Sequence, residues 1–468
     1  MINVVIVGSG PSALFAAKTI LESNRRITII MLEQGKPSHD RFCPAENGKC
    51  KNCEVCSILQ GGGGAGLFSD GKLIADLTSG GIAQGVEILS KSEKKKMEDI
   101  ILNTLEDFDG RSTYKEMPSN DIMKKNRALF EAEDLVIKFY NVLHMGSNNL
   151  PDVTQKFINY LLQKYSDRFY IFYNTGVTDI SKTALGYTVY ANELKYHADC
   201  VIAAVGKSQA SWLKTVISKL GVKFNDHPFY FGIRMETAYS NVDRLVQLSF
   251  DPKISRVIDG RKIKTHCMCR RGQIRYYKYK NAINVGGHSP YNENDTDLID
   301  SIPNANFNIL LSYDQKVITS EKVLTIFHEK CSETIAAQRL GDFMSSQTTR
   351  EWGKLAPPNE DIVSKVNIRA IIDSFDMDFS RYLIDFLTSL STICPDVVDE
   401  DNILYAPTIE WDMDSVNVNS NMETGCYNLF AIGDGAGLSQ GIVFSAATGI
   451  LAAKEISKRF AQGDHNGY

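Results

Sequence analysis

The residues of this chain whose spacing most clearly suggests chemistry lie near its start. Residues 8–13 read Gly-Ser-Gly-Pro-Ser-Ala and follow the apolar run Val4–Val7. A strand that enters such a turn brings side-chain-free backbone against a dinucleotide pyrophosphate, and the next helix points its free N–H groups at the phosphates. The pattern predicts a dinucleotide site in which an alanine replaces the usual third glycine. The residues expected to contact the dinucleotide are Gly8, Gly10, Pro11, Ser12 and Ala13.

An acidic residue ends the next predicted strand. The apolar run of residues 27–32 is followed by Glu33, close to where an acid binds the adenosine ribose in dinucleotide folds. We expect Glu33 to accept hydrogen bonds from ribose hydroxyls, the alternative being an acid at a solvated strand end. NAD and FAD share these signals, so other parts of the chain must distinguish them.

A second glycine-rich turn lies near the end of the chain. An apolar strand over residues 429–432 runs into Gly433 and Asp434, and small residues predict a helix over 445–453. Asp434 could accept hydrogen bonds from ribityl hydroxyls, and the helix N-terminus could face the flavin edge where negative charge collects on reduction. This pattern favours FAD. The contacts expected here are Gly433, Asp434, Gly441 and Ile442.

The middle of the chain shows a related pattern. From about residue 170 to residue 206 the sequence predicts a strand, a β-meander and a buried strand, Val201–Val205, which ends at Gly206. This arrangement resembles the mid-chain element of the glutathione-reductase-type flavoprotein fold. The resemblance implies that Val177 and Gly206 also contact the cofactor.

A glycine-rich loop at residues 61–73 carries the closest family resemblance. Its sequence, GGGGAGLFSDGKL, resembles the family labelled only FAD-dependent dehydrogenase, whose substrates are mostly unknown. Further matching motifs lie at residues 144–147, 232–236, 266–269, 304–307 and 338–343. The resemblance implies a flavin-side loop whose cofactor contacts are Gly63, Gly64, Ala65, Ser69, Asp70, Gly71 and Lys72.

Two motifs depart from that family, and one possible second site is rejected. Arg270 and Arg271 replace a Pro-Gly pair, and residues 286–289 read Gly-Gly-His-Ser instead of Asn-Gly-Met-Ser, so the resemblance leaves the substrate open. The glycine loop itself is not a second dinucleotide turn, because no apolar strand precedes it. NAD(P)H is therefore expected only as a co-substrate.

Four of the ten cysteines lie just before the glycine loop, at Cys43, Cys50, Cys53 and Cys56. In a cytosolic enzyme, closely spaced thiols bind metal or do redox work more often than they form structural disulfides. The spacing suits one corner of a [4Fe–4S] cluster better than the paired Cys-x2-Cys units of many zinc sites. A zinc site, a redox thiol pair and inert thiols remain alternatives.

Composition argues against several classes of partner. The chain has 468 residues, of which 43% are apolar and 23% charged, with a formal net charge of −5. These values are ordinary for a globular enzyme and give no basic footprint for nucleic acid. No apolar run approaches the length of a membrane span. The chain starts directly with its first strand, so we expect no signal peptide and a cytoplasmic location. The oligomeric state is left open.

Together these signals predict an α/β fold. We expect a Rossmann-like FAD-binding domain of the glutathione-reductase type, with three β/β/α layers and a β-meander, plus an α+β substrate domain and a helical insertion. The FAD domain is expected to be discontinuous, over residues 1–90, 150–225 and 400–468. The insertion is expected at 91–149 and the substrate or cap domain at 226–399.

Candidate catalytic residues lie on the predicted strands of the substrate domain. Arg234 could clamp a substrate carboxylate, or it could form a structural ion pair with Glu236 on the same strand face. Cys267 and Cys269 also share a face. They could be a thiol pair that faces the flavin, with Cys267 as a catalytic residue, or they could be inert packed cysteines.

Three histidines are further candidates for acid–base catalysis, because the unperturbed pKa of histidine lies near neutrality. They are His144, His266 and His288. Each could instead be a structural histidine. Hydride transfer to a flavin depends mainly on positioning, so the chemistry does not require a conspicuous nucleophile.

Three functions fit these observations. The favoured one is a FAD-dependent oxidoreductase, a dehydrogenase or reductase that transfers hydride at flavin N5 to or from a small organic substrate, which could be an anion. The second is a flavoprotein and iron–sulfur partner in electron transfer to another protein. The third is a FAD-bearing protein for binding or redox sensing, with little turnover. A small-molecule substrate and an electron-transfer protein are therefore the two expected kinds of partner.

Overall fold

A computed structural model of the chain describes residues 1–45, 50–78, 85–109, 113–280, 282–289 and 302–461. Strands and helices are numbered below in chain order. Among the described residues, no helix combines the length and apolar character needed to cross a bilayer.

A five-stranded parallel sheet holds both ends of the chain. In spatial order its strands are β23 (Leu429–Ala431), β11 (Cys200–Ala203), β1 (Ile2–Val7), β2 (Ile27–Leu32) and β7 (Phe169–Phe172). In the central strand, Val4, Val5 and Ile6 are fully buried, as expected for a parallel sheet covered on both faces. Because β23 pairs with β11 in parallel, the chain returns to its first sheet after the second half of the molecule.

A meander and two helices complete three layers around this sheet. The meander consists of β8 (Val177–Thr183), β9 (Gly186–Ala191) and β10 (Leu194–Ala198), and it contacts β1 and β11. The helices are α1 (Pro11–Ser23) and α11 (Ile442–Ala461). They cross so closely that a Cβ on Gly449 would lie 2.1 Å from the carbonyl oxygen of Ser12. The predicted Rossmann-like β/β/α fold with a meander is confirmed.

A mixed eight-stranded sheet forms the core of the second half. In spatial order its strands are β20 (Val363–Lys365), β19 (Ile335–Arg339), β21 (Ile403–Glu410), β13 (Phe229–Ala238), β18 (Asn304–Tyr313), β15 (Arg261–Cys269), β14 (Lys253–Ile258) and β5 (Val136–Lys138). One face packs on helices α7 (Ser320–Cys331) and α10 (Met377–Ser391), where Phe231 meets the rings of Phe327 and Phe379. The predicted α+β substrate domain is therefore present.

Smaller elements connect the two sheets. The helices are α2 (Lys91–Glu106), α3 (Asn120–Glu131), α4 (Leu150–Lys164), α5 (Ala210–Ser218), α6 (Asp243–Leu248), α8 (Leu340–Met344) and α9 (Ile368–Asp373). The short strands are β3 (Lys72–Ile74), β4 (Thr113–Lys115), β6 (Val142–His144), β12 (Phe224–Asn225), β22 (Ser415–Val416), β16 (Gln273–Tyr279) and β17 (Ala282–His288).

The segment predicted as a helical insertion also supplies strands. Residues 91–149 contain α2 and α3, but β5 within them pairs with β14 at the edge of the larger sheet. Two further strands of this segment, β4 and β6, pair with each other, and β6 also pairs with β3. The segment is thus attached to both halves of the molecule. The predicted domain boundaries stay a prediction.

Candidate active site

A cavity of about 1240 Å³ lies between the two sheets. Its walls come from the carboxyl ends of β1, β2 and β11, from the glycine loop, and from β13 and β15 of the larger sheet. Ligands of open α/β sheets bind outside the carboxyl ends of the strands. The volume exceeds the roughly 300–1,000 Å³ of a typical small-molecule pocket, so a dinucleotide and a second molecule both have room.

The turn between β1 and α1 is shaped for a phosphate group. Gly8 has a φ of +101°, and a Cβ there would lie 2.6 Å from the carbonyl oxygen of Ala204, so the turn requires glycine. Gly10 precedes α1 with no side-chain cap. The nearest atom to a Cβ placed on Gly10 is the Cα of Gly64, at 3.9 Å. The uncapped N–H groups at the start of α1 therefore open onto the cleft, as anion binding requires.

Glu33 is fixed at the same end of the cavity. Its Oε2 accepts hydrogen bonds from the backbone N–H and the hydroxyl of Ser9, at 3.0 and 2.7 Å. Its Oε1 accepts one from the N–H of Gly35 at 2.9 Å. Because the side chain is 5% exposed and lines the cavity, the alternative of an acid at a solvated strand end is wrong.

An arginine that the sequence analysis did not identify holds the glycine loop. The Nη1 of Arg41 donates to the carbonyl oxygens of Gly62 and Gly64 at 2.8 and 2.7 Å. Its Nε and Nη2 donate to the carbonyls of Ser57 and Ile58, both at 2.9 Å. Burial lowers the pKa of Arg41 to about 10, which leaves it charged at neutral pH. The loop is thus fixed by backbone bonds to one side chain.

Asp434 follows β23, the outer strand of the parallel sheet. Its Oδ1 accepts a hydrogen bond from Ser439 at 2.7 Å, and its Oδ2 faces the N–H of Gly441 at 3.4 Å. Burial in the cavity wall raises the pKa of Asp434 to about 6. Gly441 has a φ of +101°, and α11 starts immediately after it. A carboxylate and a helix N-terminus therefore share this part of the wall.

Unsatisfied polar atoms show that this wall suits a polar ligand. The Nε1 of Trp212 and the Oε1 of Gln440 are buried and have no hydrogen-bond partner among the described residues. Both residues line the cavity. A Cβ on Gly206 or on Gly441 would meet no atom within 4 Å. Buried polar atoms normally find partners, so these residues fit a bound flavin dinucleotide.

Most of the predicted FAD contacts line the cavity, and four do not. Those in the wall are Gly8, Gly10, Pro11, Ser12, Glu33, Gly64, Ala65, Ser69, Asp70, Lys72, Val177, Gly206, Asp434, Gly441 and Ile442. Those outside it are Ala13, Gly63, Gly71 and Gly433. The three glycines outside the wall have positive φ and pack on other segments; a Cβ on Gly71, for example, would lie 2.5 Å from the nitrogen of Gly146.

Among the four N-terminal cysteines, all of them described residues, no three have sulfurs within 4.8 Å of one another. Cys43 lines the edge of the cavity, and Cys53 is exposed. In the described part of the chain, the one group of three metal-type side chains with ligand atoms within 4.8 Å of one another is Asp70, Cys267 and Cys269. An iron–sulfur or zinc site at the N-terminal cysteines stays a prediction.

A cluster of buried ions forms part of the cavity wall. The Nζ of Lys72 lies 2.7 Å from the Oδ2 of Asp70 and 3.7 Å from the Oδ1 of Asp251. Burial alone would raise the pKa of both carboxyl groups, but the Lys72 ammonium holds each pKa below its ordinary value. The hydroxyl of Tyr140 donates to Asp251 at 2.8 Å. The predicted flavin-loop residues Asp70 and Lys72 are therefore a paired charge.

Arg234 lines the cavity but does not pair with Glu236. Its Nε and Nη1 donate to the side-chain oxygens of Asn306 and Asn308, at 2.7 and 2.8 Å. Glu236 instead accepts a hydrogen bond from Tyr405 at 2.6 Å. Both side chains are buried, Arg234 with 1% exposed. The guanidinium is thus held by neutral amides at the cavity wall.

Lysines and aromatic rings form the wall that the second molecule would meet. The Nζ of Lys264 lies 3.7 Å from the ring centroids of both Tyr230 and Trp411. Burial and the neighbouring Lys253 and Lys262 lower the pKa of Lys264 to about 6. All of these residues line the cavity, together with Lys138 and Arg275. Lys138, Lys253, Lys262 and Lys264 line this wall together with two carboxylates, Asp251 and Glu410, so it suits an anion better than an uncharged molecule.

The three candidate histidines have different settings. His266 lines the cavity, its Nδ1 is buried without a partner among the described residues, and burial lowers its pKa well below the ordinary value. His144 lies behind the wall, with Nε2 3.1 Å from the carbonyl oxygen of Asp70 and its ring against Phe250. The side chain of His288 lies outside the described residues. Of the two candidate histidines whose side chains are described, His266 is thus the one that lines the cavity.

The wall of lysines and aromatic rings could have been predicted in part from sequence. Lys262, Lys264 and His266 alternate along β15, and a period of two places alternate residues on one face of a strand. The partners of Lys264 come from other elements, and Trp411 follows the distant strand β21. No local pattern in the sequence predicts that contact.

Comparisons with known proteins give only distant structural likeness. No protein-family model matches the chain, and no curated protein matches it. Three solved structures share 9–12% identity with it: a flavoprotein/dehydrogenase from Cytophaga hutchinsonii (TM-score 0.41, covering 100% of this chain and 80% of that one), glycine oxidase from Geobacillus kaustophilus (0.39, 98% and 95%) and CtdE in complex with FAD and a substrate (0.39, 100% and 82%). At these scores the likenesses carry no inference about function, which must come from the cleft.

Proposed function

We propose that this protein is a FAD-dependent oxidoreductase that acts on an organic anion. The observation that carries the proposal is the continuity of the cavity, which runs from the glycine turn at Gly8 to the cationic wall at Lys264. A dinucleotide held at the first part would have its reactive end beside a molecule held at the second. Bound FAD would supply hydride transfer at its flavin ring.

The residues of the parallel-sheet half would hold the dinucleotide. The start of α1 offers N–H groups to the pyrophosphate, and Glu33 offers its carboxylate to the adenosine ribose. Asp434 offers a second carboxylate to the ribityl hydroxyls. The N-terminus of α11, next to Gly441, stabilises negative charge at the flavin edge through its dipole.

The residues of the larger sheet would bind and orient the substrate. Lys253 attracts its anionic group, and Lys264, mostly neutral in the free protein, takes up a proton beside that group. The rings of Tyr230 and Trp411 exclude water from the contact and strengthen it. The unpartnered Nδ1 of His266 is available for a substrate hydroxyl or amine. Because its pKa is low, His266 stays neutral at physiological pH, and it positions the substrate by hydrogen bonding without adding charge.

The proposal is tested by cofactor content and by flavin reduction. The purified protein should bind FAD, and Gly10→Val should lose it by filling the space that faces Gly64, while Gly425→Ala, where a Cβ meets no atom within 4 Å, should keep it. Under anaerobic conditions, hydroxy- and amino-carboxylates should then be compared with their amides as flavin reductants. Bleaching by carboxylates but not by the matched amides is expected. Failure to bind FAD would overturn the proposal.

The same purified protein also tests the two alternative functions. Iron bound at Cys43, Cys50, Cys53 and Cys56, with electrons passed to a protein partner, would favour the electron-transfer function. Flavin that no organic anion and no NAD(P)H reduces would favour a binding or sensing function. NAD(P)H as reductant would make it the co-substrate, with the anion as the molecule reduced.

A further inference from the structure

A β-bulge places one cysteine side chain, Cys267, in the cavity wall and a second, Cys269, directly behind it. Strand β15 pairs His266 with Asn308 but Cys269 with Asn306, so β15 has one residue more than β18 over this stretch. Cys267, within the bulge, has a φ of +52°, which non-glycine residues rarely adopt. Bulges often re-aim side chains beside active sites. Here the bulge brings the sulfurs of Cys267 and Cys269 and a carboxylate oxygen of Asp70 to within 4.8 Å of one another.

The surroundings of Cys269 favour a thiolate. The Nη2 of Arg234 lies 3.3 Å from its sulfur, and Arg234 is otherwise bound by neutral amides and the carbonyl of Cys267. The sulfurs of Cys267 and Cys269 each lie 3.6 Å from the Oδ2 of Asp70, which accepts from a protonated thiol. The neighbouring Cys267 thiol and then the Lys72 ammonium lower the pKa of Cys269 below its ordinary value, so Cys269 is the member of the pair that gives up its proton. A buried guanidinium without a carboxylate partner is costly, and a thiolate would compensate it.

The charges around the two cysteines also favour a thiolate at Cys269. Three cations, Lys72, Lys253 and Arg234, surround two carboxylates, Asp70 and Asp251. One further negative charge would make the cluster neutral. A metal ion at Asp70, Cys267 and Cys269 would add positive charge instead, and it would compete with the Lys72 ammonium 2.7 Å from the same carboxylate. The arrangement therefore favours a reactive thiol pair over a metal site.

We propose that Cys267 and Cys269 are a redox-active dithiol that exchanges an electron pair with the flavin bound in this cavity. In the oxidative direction a bond forms between the Cys269 thiolate sulfur and the Cys267 sulfur, the Cys267 thiol loses its proton, and two electrons pass to FAD, which with that proton and one more from solvent gives FADH2. The reverse direction consumes FADH2, releases one proton to solvent and restores the thiol of Cys267 and the thiolate of Cys269. Since Cys267 lines the cavity and Cys269 is buried behind it, the pair is reached from the cavity in which the cofactor would bind. The electron exchange rests on the proposed function; disulfide formation does not.

The first experiment asks whether the two sulfurs can form a disulfide without flavin. The apoprotein is equilibrated in buffers of oxidised and reduced dithiothreitol, alkylated, digested and analysed by mass spectrometry. The peptide that contains both cysteines should lose two hydrogens reversibly and resist alkylation in the oxidised state. Cys331, a buried cysteine of α7, should stay reduced throughout. If the peptide never forms the disulfide, the proposal is overturned.

The second experiment counts electrons in the FAD-loaded protein. Anaerobic titration of oxidised protein with dithionite should consume one electron pair more per chain in the native protein than in Cys269→Ser. The matched variant Cys331→Ala should titrate like the native protein. Equal consumption in the native protein and Cys269→Ser would overturn the proposal, as would a stoichiometric metal released on alkylation of these two cysteines. If the disulfide forms but the protein does not bind FAD, the thiol pair is supported and the proposed function is overturned. The failure of the thiol-pair proposal and the failure of the proposed function are therefore distinguishable.

Discussion

At the scale of single residues, burial in the cleft disfavours the charged forms of Asp434 and Lys264. Burial raises the pKa of the carboxyl to about 6 and lowers that of the ammonium to about 6. Near neutral pH the Asp434 carboxyl is therefore close to losing its charge, and the Lys264 amine of the free protein is already mostly neutral. Perturbed pKa values of this kind concentrate at binding and catalytic sites, because a ligand supplies the interactions that solvent no longer provides.

We expect FAD affinity to fall below pH 6 through Asp434. Because its pKa is raised, the free folded protein favours the protonated carboxyl. The stability that this protonated group contributes to the folded state is lost as pH rises from the ordinary carboxyl pKa to about 6. Ribityl hydroxyls donate to the ionised form, so binding should weaken by up to about tenfold per pH unit below that value. Fluorescence titration of the apoprotein with FAD measures this. In Asp434→Asn the dependence should disappear; an unchanged pH profile would assign it to another group.

We expect anion binding to draw a proton onto Lys264. The lowered pKa means that free Lys264 is mostly neutral above pH 6, and an adjacent carboxylate would raise the pKa toward its ordinary value. Malonate should therefore bind with uptake of about one proton at pH 7.5, and more weakly as pH rises. Calorimetry in two buffers of different ionisation enthalpy gives the proton count. Lys264→Met should abolish the uptake, and Lys262→Met, on the exposed part of the same strand face, should retain most of it.

At the scale of elements, the glycine loop is organised by Arg41 rather than by its own sequence. Gly61, Gly63 and Gly64 adopt positive φ values, which leave the loop with few intrinsic constraints. The planar guanidinium supplies donors in several fixed directions, and its face also lies 4.8 Å from the ring of Phe68. A lysine has one compact ammonium and cannot reproduce this set of contacts.

Replacing Arg41 by Lys should therefore weaken FAD binding while preserving the fold. We expect roughly a 10- to 100-fold rise in the FAD dissociation constant, equivalent to about 1.4–2.8 kcal/mol, because carbonyl groups of the loop lose their donors. Arg26→Lys, on an exposed turn, is the matched control. Equilibrium binding and circular dichroism together distinguish a loosened loop from an unfolded chain. Unaltered affinity would mean that the loop keeps its shape without the arginine.

At the scale of elements, some features of the site could be predicted from the sequence and others could not. The turns at Gly8 and Gly433 and the acids Glu33 and Asp434 follow strands that the apolar pattern marks, so their positions are local properties of the sequence. The bonds of Arg41 go to carbonyl groups, which every residue type carries. The bulge at Cys267 depends on register with β18. These features arise from tertiary packing, and no residue spacing encodes them.

At the scale of the whole molecule, the cofactor half depends on one close contact between elements from opposite ends of the chain. Helix α11 approaches α1 at Gly449, where a Cβ would lie 2.1 Å from the backbone of Ser12. Ser12 belongs to the first turn of α1, and α11 begins beside Asp434. The spacing of the two helices therefore sets the distance between the pyrophosphate end and the flavin end of the cleft.

Gly449→Ala should destabilise the protein and lower FAD affinity together. Backbone atoms must move to accept the added methyl group, and overpacking of this kind costs about 1–3 kcal/mol. Thermal unfolding with and without FAD measures both effects, and we expect a fall in Tm and a smaller stabilisation by FAD. Gly425→Ala adds the same methyl group where no atom lies within 4 Å, so it should leave both quantities unchanged. A loss of stability alone would separate packing from cofactor binding.

The return of β23 and α11 to the first sheet also has a consequence during synthesis. Strands β1 and β2 leave the ribosome early, whereas β11, which pairs with β1, and β23, which pairs with β11, are translated much later. At the usual roughly 5–20 residues per second, about 20–90 s separate the first apolar strand from the last. During that interval the nascent chain exposes sheet edges and an incomplete nucleotide pocket. The pocket that we propose for FAD is therefore complete only after β23 and α11 have been translated, and until then the apolar edges of the early strands are open to non-native contacts.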